Sequence, residues 1–302
     1  MLCSYNLQST FAALSFYNPD TTPWIIGAVE AVLVGYCLLG GGKRVIKATS
    51  TLVPLMGVIY ISVAFILTIM HISLVPGVVG RIFAEAFDFT AIFGGFAGSC
   101  MMFGIKRGLY SNEAGVGSAP NAAAAADVSH PVKQGLVQML SVFIDTLLIC
   151  TATAFMCLSS GIEPTKELAG APYVQAALAA SMGDYAKLFI TVSMVLFAFT
   201  TLLGNLYYVD NAFAYVLKHV PGKTFTLCYR ILACVLIFIG AGSSMGTMWD
   251  LADVTMGFMA IINLPVICIL GGPALRALDD YTEQRNAGKN PEFKASKIGL
   301  TQ

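Results

Sequence analysis

Four groups of residues in this 302-residue chain have types and spacings suited to handling a small polar solute or an ion. Gly94-Gly95-Phe96-Ala97-Gly98-Ser99 breaks an apolar run with three glycines in five residues. Each glycine weakens a helix by about 1 kcal/mol relative to alanine. An unwound stretch would offer free N–H and C=O groups to a polar ligand or ion. The G-x-x-x-G spacing of Gly94 and Gly98 equally suits close helix packing. In the second group Ser193, Phe197, Thr201 and Asn205 recur every four residues and share a helix face, with Thr200, Gly204 and Tyr208 beside it. Their hydroxyl and amide oxygens are hard ligands of the kind Na⁺ takes, although Ser and Thr also bond back to their own helix.

Asp145 forms the third group, near the middle of a long apolar run. A carboxylate at that depth costs about 2.5 to 3.5 kcal/mol, so it must face the bundle interior or a wet cavity, or hold a proton. Ser141 is one turn away on the same face and is the expected hydrogen-bond partner. Structural anchoring and ion coupling both fit Asp145, and Glu30, nearer the end of another run, raises the same question. The fourth group is the segment from Arg107 to Asn121, R-G-L-Y-S-N-E-A-G-V-G-S-A-P-N, whose Gly, Asn and Pro content excludes one continuous helix. Its Arg107 is expected at the inner membrane surface. A surface turn is one reading of Asn112, Glu113, Gly115 and Gly117, and a gate is the other.

The elements that must position these groups are apolar. The chain is 57% hydrophobic and 11% charged, with a mean hydropathy of +0.75. A soluble domain carries about a quarter charged residues, so a soluble enzyme is excluded. Zero formal net charge removes any global attraction to nucleic acid. A membrane-crossing helix needs about 20 apolar residues. Seven runs meet or nearly meet that length, at 24–42, 51–70, 89–105, 134–158, 187–208, 224–243 and 250–271. Shorter stretches near 76–88 and 171–183 read as interfacial helices. Seven of the eight cysteines lie in or beside the spans, with no C-x-x-C pair, as packing residues do.

Sorting Lys and Arg by loop places fourteen of the seventeen basic residues on one side, leaving only Arg81, Lys166 and Lys187 opposite. Cytoplasmic loops are the basic ones, so residues 1–23 are expected outside, the transmembrane domain over 24–272 and a cytoplasmic tail over 273–302. An external amino terminus with no signal peptide leads to the expectation of an odd number of preceding spans, in a longer protein. Direct translocation of a short uncharged terminus is the rival.

At the fourth group the sequence resembles the alanine or glycine:cation symporter family. R-G-L-Y-S-N-E-A-G-V-G-S-A-P-N-A is similar to its most marked motif. H-P-V-K-Q-G-L-V-Q-M-L from His130, with F-I-D-T-L from Phe143, is similar to the helix that follows. Leu39-Gly40-Gly41-Gly42-Lys43-Arg44, Leu196-Phe197-Ala198-Phe199-Thr200-Thr201 and Trp249-Asp250-Leu251-Ala252-Asp253 match in the same order. The resemblance implies an all-α polytopic membrane protein with a LeuT-type inverted-repeat transporter fold, here incomplete, its seven helices equivalent to helices four to ten. It implies cation-coupled uptake of alanine or glycine across the plasma membrane of a prokaryotic cell, with Na⁺ or H⁺ as coupling ion and no other cofactor. It further implies a substrate site at Gly94, Gly95, Phe96, Ala97, Gly98 and Ser99 with Asn205, a cation near Thr200 and Thr201, and a gating or coupling role for Asn112, Glu113, Gly115, Gly117 and Asp145. Asn205 stands where the family pattern has Trp, which points to a wetter pocket and a more polar amino acid.

Other classes fit less well. The seventh run has no Lys for a retinal Schiff base, no D-R-Y follows the third, and no H-E-x-x-H of a metalloprotease is present. Asn263-Leu264-Pro265 reads as a helix kink. A truncated, transport-inactive product and a seven-span receptor remain the alternatives.

Overall fold

The computed structural model describes residues 1–39, 42–88, 100–113, 115–165 and 168–300. These residues are helical, with no strand among them. Five helices are long and apolar enough to cross a membrane: Thr49–Met70, Pro131–Leu158, Tyr185–Leu217, Lys223–Ala241 and Met245–Asn286. Of the other two expected runs, the first forms the shorter apolar helix Thr22–Leu38, and most of the third, 89–105, lies outside the described residues.

The helices are α1 (Leu2–Ser9), α2 (Thr22–Leu39), α3 (Gly42–Met70), α4 (Val75–Ala86), α5 (Cys100–Asn112), α6 (Ala119–Ala123), α7 (Pro131–Phe143), α8 (Thr151–Leu158), α9 (Ala171–Met182), α10 (Tyr185–Leu217), α11 (Lys223–Ala241) and α12 (Met245–Asn286). They fall into two compact units, one of Met1–Ala91 with Ile149–Ala252, the other of Ile92–Leu148 with Asp253–Gln302.

In the first unit α10 is the central element. Tyr60, Ala64 and Leu67 of α3, Met156 of α8 and Leu178 of α9 pack around its Ala186 and Ile190. Val34 and Leu38 of α2 and Ile237 of α11 close on its Leu202 and Leu203. Lipid is as apolar as leucine, so such helices are held by close packing and interhelical hydrogen bonds rather than by escape from water. Gln175 on α9 is one such tie: its Nε2 donates to Thr10 O at 2.8 Å and to Thr191 Oγ1 at 2.9 Å. The sequence reading assigns residues 1–23 to an external amino-terminal segment and draws no element there. The structure nonetheless has α1 there, with Ser4, Leu7, Gln8 and Ser9 buried against α2, α10 and α11.

In the second unit α7 begins at Pro131 with His130 as its cap, the imidazole Nδ1 accepting from Val132 N at 3.2 Å. The helix widens into a π-helical segment over Ile144–Cys150. Helix α12 outruns its apolar stretch to Asn286, since D-D-Y-T-E-Q-R-N can stay helical once charge ends the hydrophobic run. Beyond it the chain turns back: Phe293 N donates to Ser129 O at 2.9 Å and Lys133 Nζ to Asn290 Oδ1 at 2.7 Å.

Candidate functional site

The polar centre of the second unit is the segment after α5. Helix α5 stops at Asn112 because the backbone turns left-handed three times, at Glu113 (φ 51°), Gly115 (φ 77°) and Gly117 (φ 98°). For Glu113 that conformation costs on the order of 1–2 kcal/mol, which the surrounding contacts must offset. Those contacts come from two other helical segments. Ser111 Oγ donates to Asp145 Oδ2, and Thr146 Oγ1 donates to Asn112 Oδ1. Asn263 Nδ2 donates to Gly115 O at 3.0 Å. A Cβ on Gly117 would lie 2.8 Å from Asn263 Cγ, and one on Gly115 2.7 Å from Leu264 Cδ2, so the turn sits flush against α12. Asn112, Glu113, Gly115, Gly117 and Asp145 are thereby gathered in one place. Asp145 lies in the π-helical segment, where the wider i→i+5 turn displaces side chains from α-helical register.

One expectation changes here. The partner of Asp145 is Ser111 rather than Ser141, whose hydroxyl donates to Gln138 O at 2.8 Å. The helical face could nominate Ser141, but a hydroxyl satisfied by its own helix is not available. Lys106 and Arg107 are paired with Asp253, at 3.4 and 3.0 Å.

In the first unit the α10 face divides. Thr200 is buried and its Oγ1 donates to Leu196 O at 2.9 Å; Thr201 is exposed and its Oγ1 donates to Phe197 O at 2.8 Å. Successive helical residues point about 100° apart, so the two hydroxyls face different surroundings. Each spends its hydrogen on the helix and keeps oxygen lone pairs for another ligand. Asn205 is exposed. Ser193 and Phe197 line a cavity of about 250 Å³ with Asn6, Tyr60 and Thr153. Thr153 donates to Ile149 O at 2.8 Å, so in its 2.8 Å contact with Tyr60 the phenol is the donor. The glycine-rich group, Gly94, Gly95, Phe96, Ala97, Gly98 and Ser99, lies outside the described residues.

A helix broken at S-N-E-A-G-V-G and braced by a mid-helix carboxylate, within a bundle of apolar helices, has its counterpart among known proteins. The pattern that defines the sodium:alanine symporter family matches residues 1–295. The chain belongs to that family. It is thus a multi-pass membrane protein from a group of transporters. Similar relatives include the amino-acid carrier protein AlsT of Bacillus subtilis, 43% identical over 274 residues, which are 91% of this chain and 58% of the relative. The probable sodium/glutamine symporter GlnT of the same organism is 41% identical over 289 residues, 95% of this chain and 60% of the relative. A sodium/proton-dependent alanine carrier protein of Bacillus sp. strain PS3 is 38% identical over 309 residues, 97% of this chain and 69% of the relative. The chain spans about six tenths of the length of the first two relatives.

Within this family member several polar residues escaped the sequence reading. Asn263 was assigned to a kink, yet its amide holds the glycine turn. Arg230 donates to Asp210 at 2.9 Å and to Leu38 O at 2.8 Å, tying α11 to α10 and to the end of α2. An acidic residue just past the fifth apolar run and a basic one near the start of the sixth were the available signal. Arg81 on α4 bonds Glu85 at 2.6 Å and Glu163 at 3.3 Å, and these two carboxylates, Glu85 first, hold its guanidinium above the ordinary range.

Proposed function

We propose that the protein is a secondary active transporter that couples the entry of Na⁺ or H⁺ to symport of a small neutral amino acid such as alanine or glycine, across the plasma membrane of a prokaryotic cell. Family membership over residues 1–295, with relatives named as amino-acid carriers, is the observation that carries it. On this reading the helices correspond to the fourth to tenth of a LeuT-type inverted repeat. Substrate binds at Gly94–Ser99 with Asn205, and the cation binds near Thr200 and Thr201. The turn of Asn112, Glu113, Gly115 and Gly117, coupled to Asp145, closes the inner side. The tie of residues 112–117 to the 145–146 pair and to Asn263 supports the gating role, because moving any one of the three segments must break hydrogen bonds to the others.

The amino-terminal segment is outside and the tail cytoplasmic. Two contacts fit this sidedness, for each joins segments that the charge sorting assigned to one side; the pairing of Lys106 and Arg107 with Asp253, near the outer start of the seventh run, does not. Arg81 meets Glu163, and Lys133 meets Asn290.

Radiolabelled alanine is expected to enter proteoliposomes holding the natural full-length protein only when a Na⁺ or H⁺ gradient is imposed; uptake unchanged after collapse of both gradients would sink the coupling. Competition by glycine and glutamine ranks the side chains that the pocket admits. Thr201→Ala is expected to raise the cation concentration for half-maximal uptake about five-fold, the effect of roughly 1 kcal/mol from one lost oxygen ligand, while leaving substrate affinity nearly unchanged. An unaltered cation titration refutes that placement.

A further inference from the structure

Glu30 is a carboxyl group that the gate and the cation site do not use. It lies on α2 with only 4% of its surface exposed, beside Ser4 of α1, whose hydroxyl also reaches the Ile237 carbonyl of α11. Its Oε1 is buried with no hydrogen-bond partner among the described residues. A carboxylate left in that state would forfeit its hydration with nothing in return, a cost of several kcal/mol.

Counting hydrogens at its other oxygen resolves the matter. Ser4 Oγ lies 2.5 Å from Glu30 Oε2 and 2.9 Å from Ile237 O. A serine hydroxyl has one hydrogen, and a backbone carbonyl can only accept. With that hydrogen on Ile237 O, a proton on the carboxyl group supplies the one between Ser4 and Glu30. The chain of donors then runs from Glu30 Oε2–H to Ser4 Oγ–H to Ile237 O, with every hydrogen accounted for.

The titratable groups facing this site are Cys3 and the Met1 amino group, both at the α1 end. Helix α10 presents Phe199, Leu202, Leu203 and Leu206 to this region, none of them titratable. Of the two basic residues on α11, Arg230 is committed to Asp210 and to the Leu38 carbonyl, and Lys223 starts the helix, 14 residues before Ile237. No fixed cation pairs with Glu30 among the described residues.

We infer that Glu30 is a proton-binding site whose proton is released when water reaches it and taken up again when α1 and α11 close over it. On release the Oε2–H bond breaks, the proton passes to water, and the Ser4 hydroxyl turns from Ile237 O to the new carboxylate. The ligand is thus H⁺ itself, and the transport role of the site rests on the symport reading above.

Two measurements test the site separately from that reading. Infrared difference spectra of the natural full-length protein in lipid, taken across a pH titration, are expected to contain the C=O band of a protonated carboxylic acid that vanishes at alkaline pH. The band is lost in Glu30→Gln, whose amide still donates to Ser4 and so preserves the packing. Ser4→Ala keeps the carboxyl but removes its acceptor, and is expected to shift the midpoint of the titration. A band unchanged in Glu30→Gln overturns the assignment.

In proteoliposomes with a trapped pH indicator, alanine-driven acidification is expected to fall ten-fold or more in Glu30→Gln, with a much smaller loss in alanine counterflow. Acidification that persists in the variant, or counterflow in the wild type without any acidification, overturns the transport role. Absence of counterflow in the wild type refutes the symport reading instead and leaves the infrared band to decide the proton site.

Discussion

Gly117→Ala is expected to cut amino-acid uptake at least ten-fold while the protein still reaches the membrane. At φ 98° Gly117 lies well beyond the left-handed basin that an L residue tolerates, so a side chain there costs on the order of 1–3 kcal/mol. The added Cβ would also lie 2.8 Å from Asn263 Cγ. Asn263 must then withdraw, and its 3.0 Å bond to the Gly115 carbonyl, worth about 1 kcal/mol, is strained or lost. Each 1.4 kcal/mol that raises one conformation of the transport cycle is roughly a ten-fold change in its population, so the combined cost suffices. Gly135→Ala is the control. That glycine is helical with open space around its Cβ position, and its variant should transport normally. Equal uptake by the two variants would show that the turn has no part in transport.

Arg230→Met is expected to lower stability by about 2–4 kcal/mol, seen as a fall of several degrees in the melting midpoint of the detergent-purified protein. The side chains of Arg230 and Asp210 are 17% and 27% exposed, so removing the guanidinium strands a largely buried carboxylate. It also deprives the Leu38 carbonyl of a donor at the end of α2. A fully exposed pair would be worth at most about 1 kcal/mol, and the size of the fall distinguishes the two cases. Adding Asp210→Asn to Arg230→Met removes the stranded charge and should restore at least half of the loss. No recovery would mean that packing of the arginine stem, rather than charge compensation, holds the three helices together.

The parts of the candidate site that were legible beforehand are those whose signal is local. The break in the helix at Gly115 and Gly117 follows from glycines placed where a helix would otherwise continue. The stripe Ser193, Phe197, Thr201, Asn205 follows from a period of four. Thr200 and Thr201 each bond a carbonyl of their own helix, as the sequence reading allowed, and their side chains point in different directions. Asn263 looked like part of a proline kink because the carbonyl it serves, Gly115 O, is 148 residues away.

By itself the sequence determined the medium and the elements: apolar runs of membrane length, the glycine- and proline-rich breaks between them, and the motifs that mark the family. Hydropathy and backbone propensity act over a few residues, so they can be read one segment at a time. Tertiary structure alone decided which polar groups meet. Asp145 could have served Ser141 on its own helix but takes Ser111, 34 residues away, and Ser4 reaches a carbonyl 233 residues along the chain. A hydrogen bond forms only within about 3 Å and in a narrow range of angles, so its partner depends on how distant segments pack.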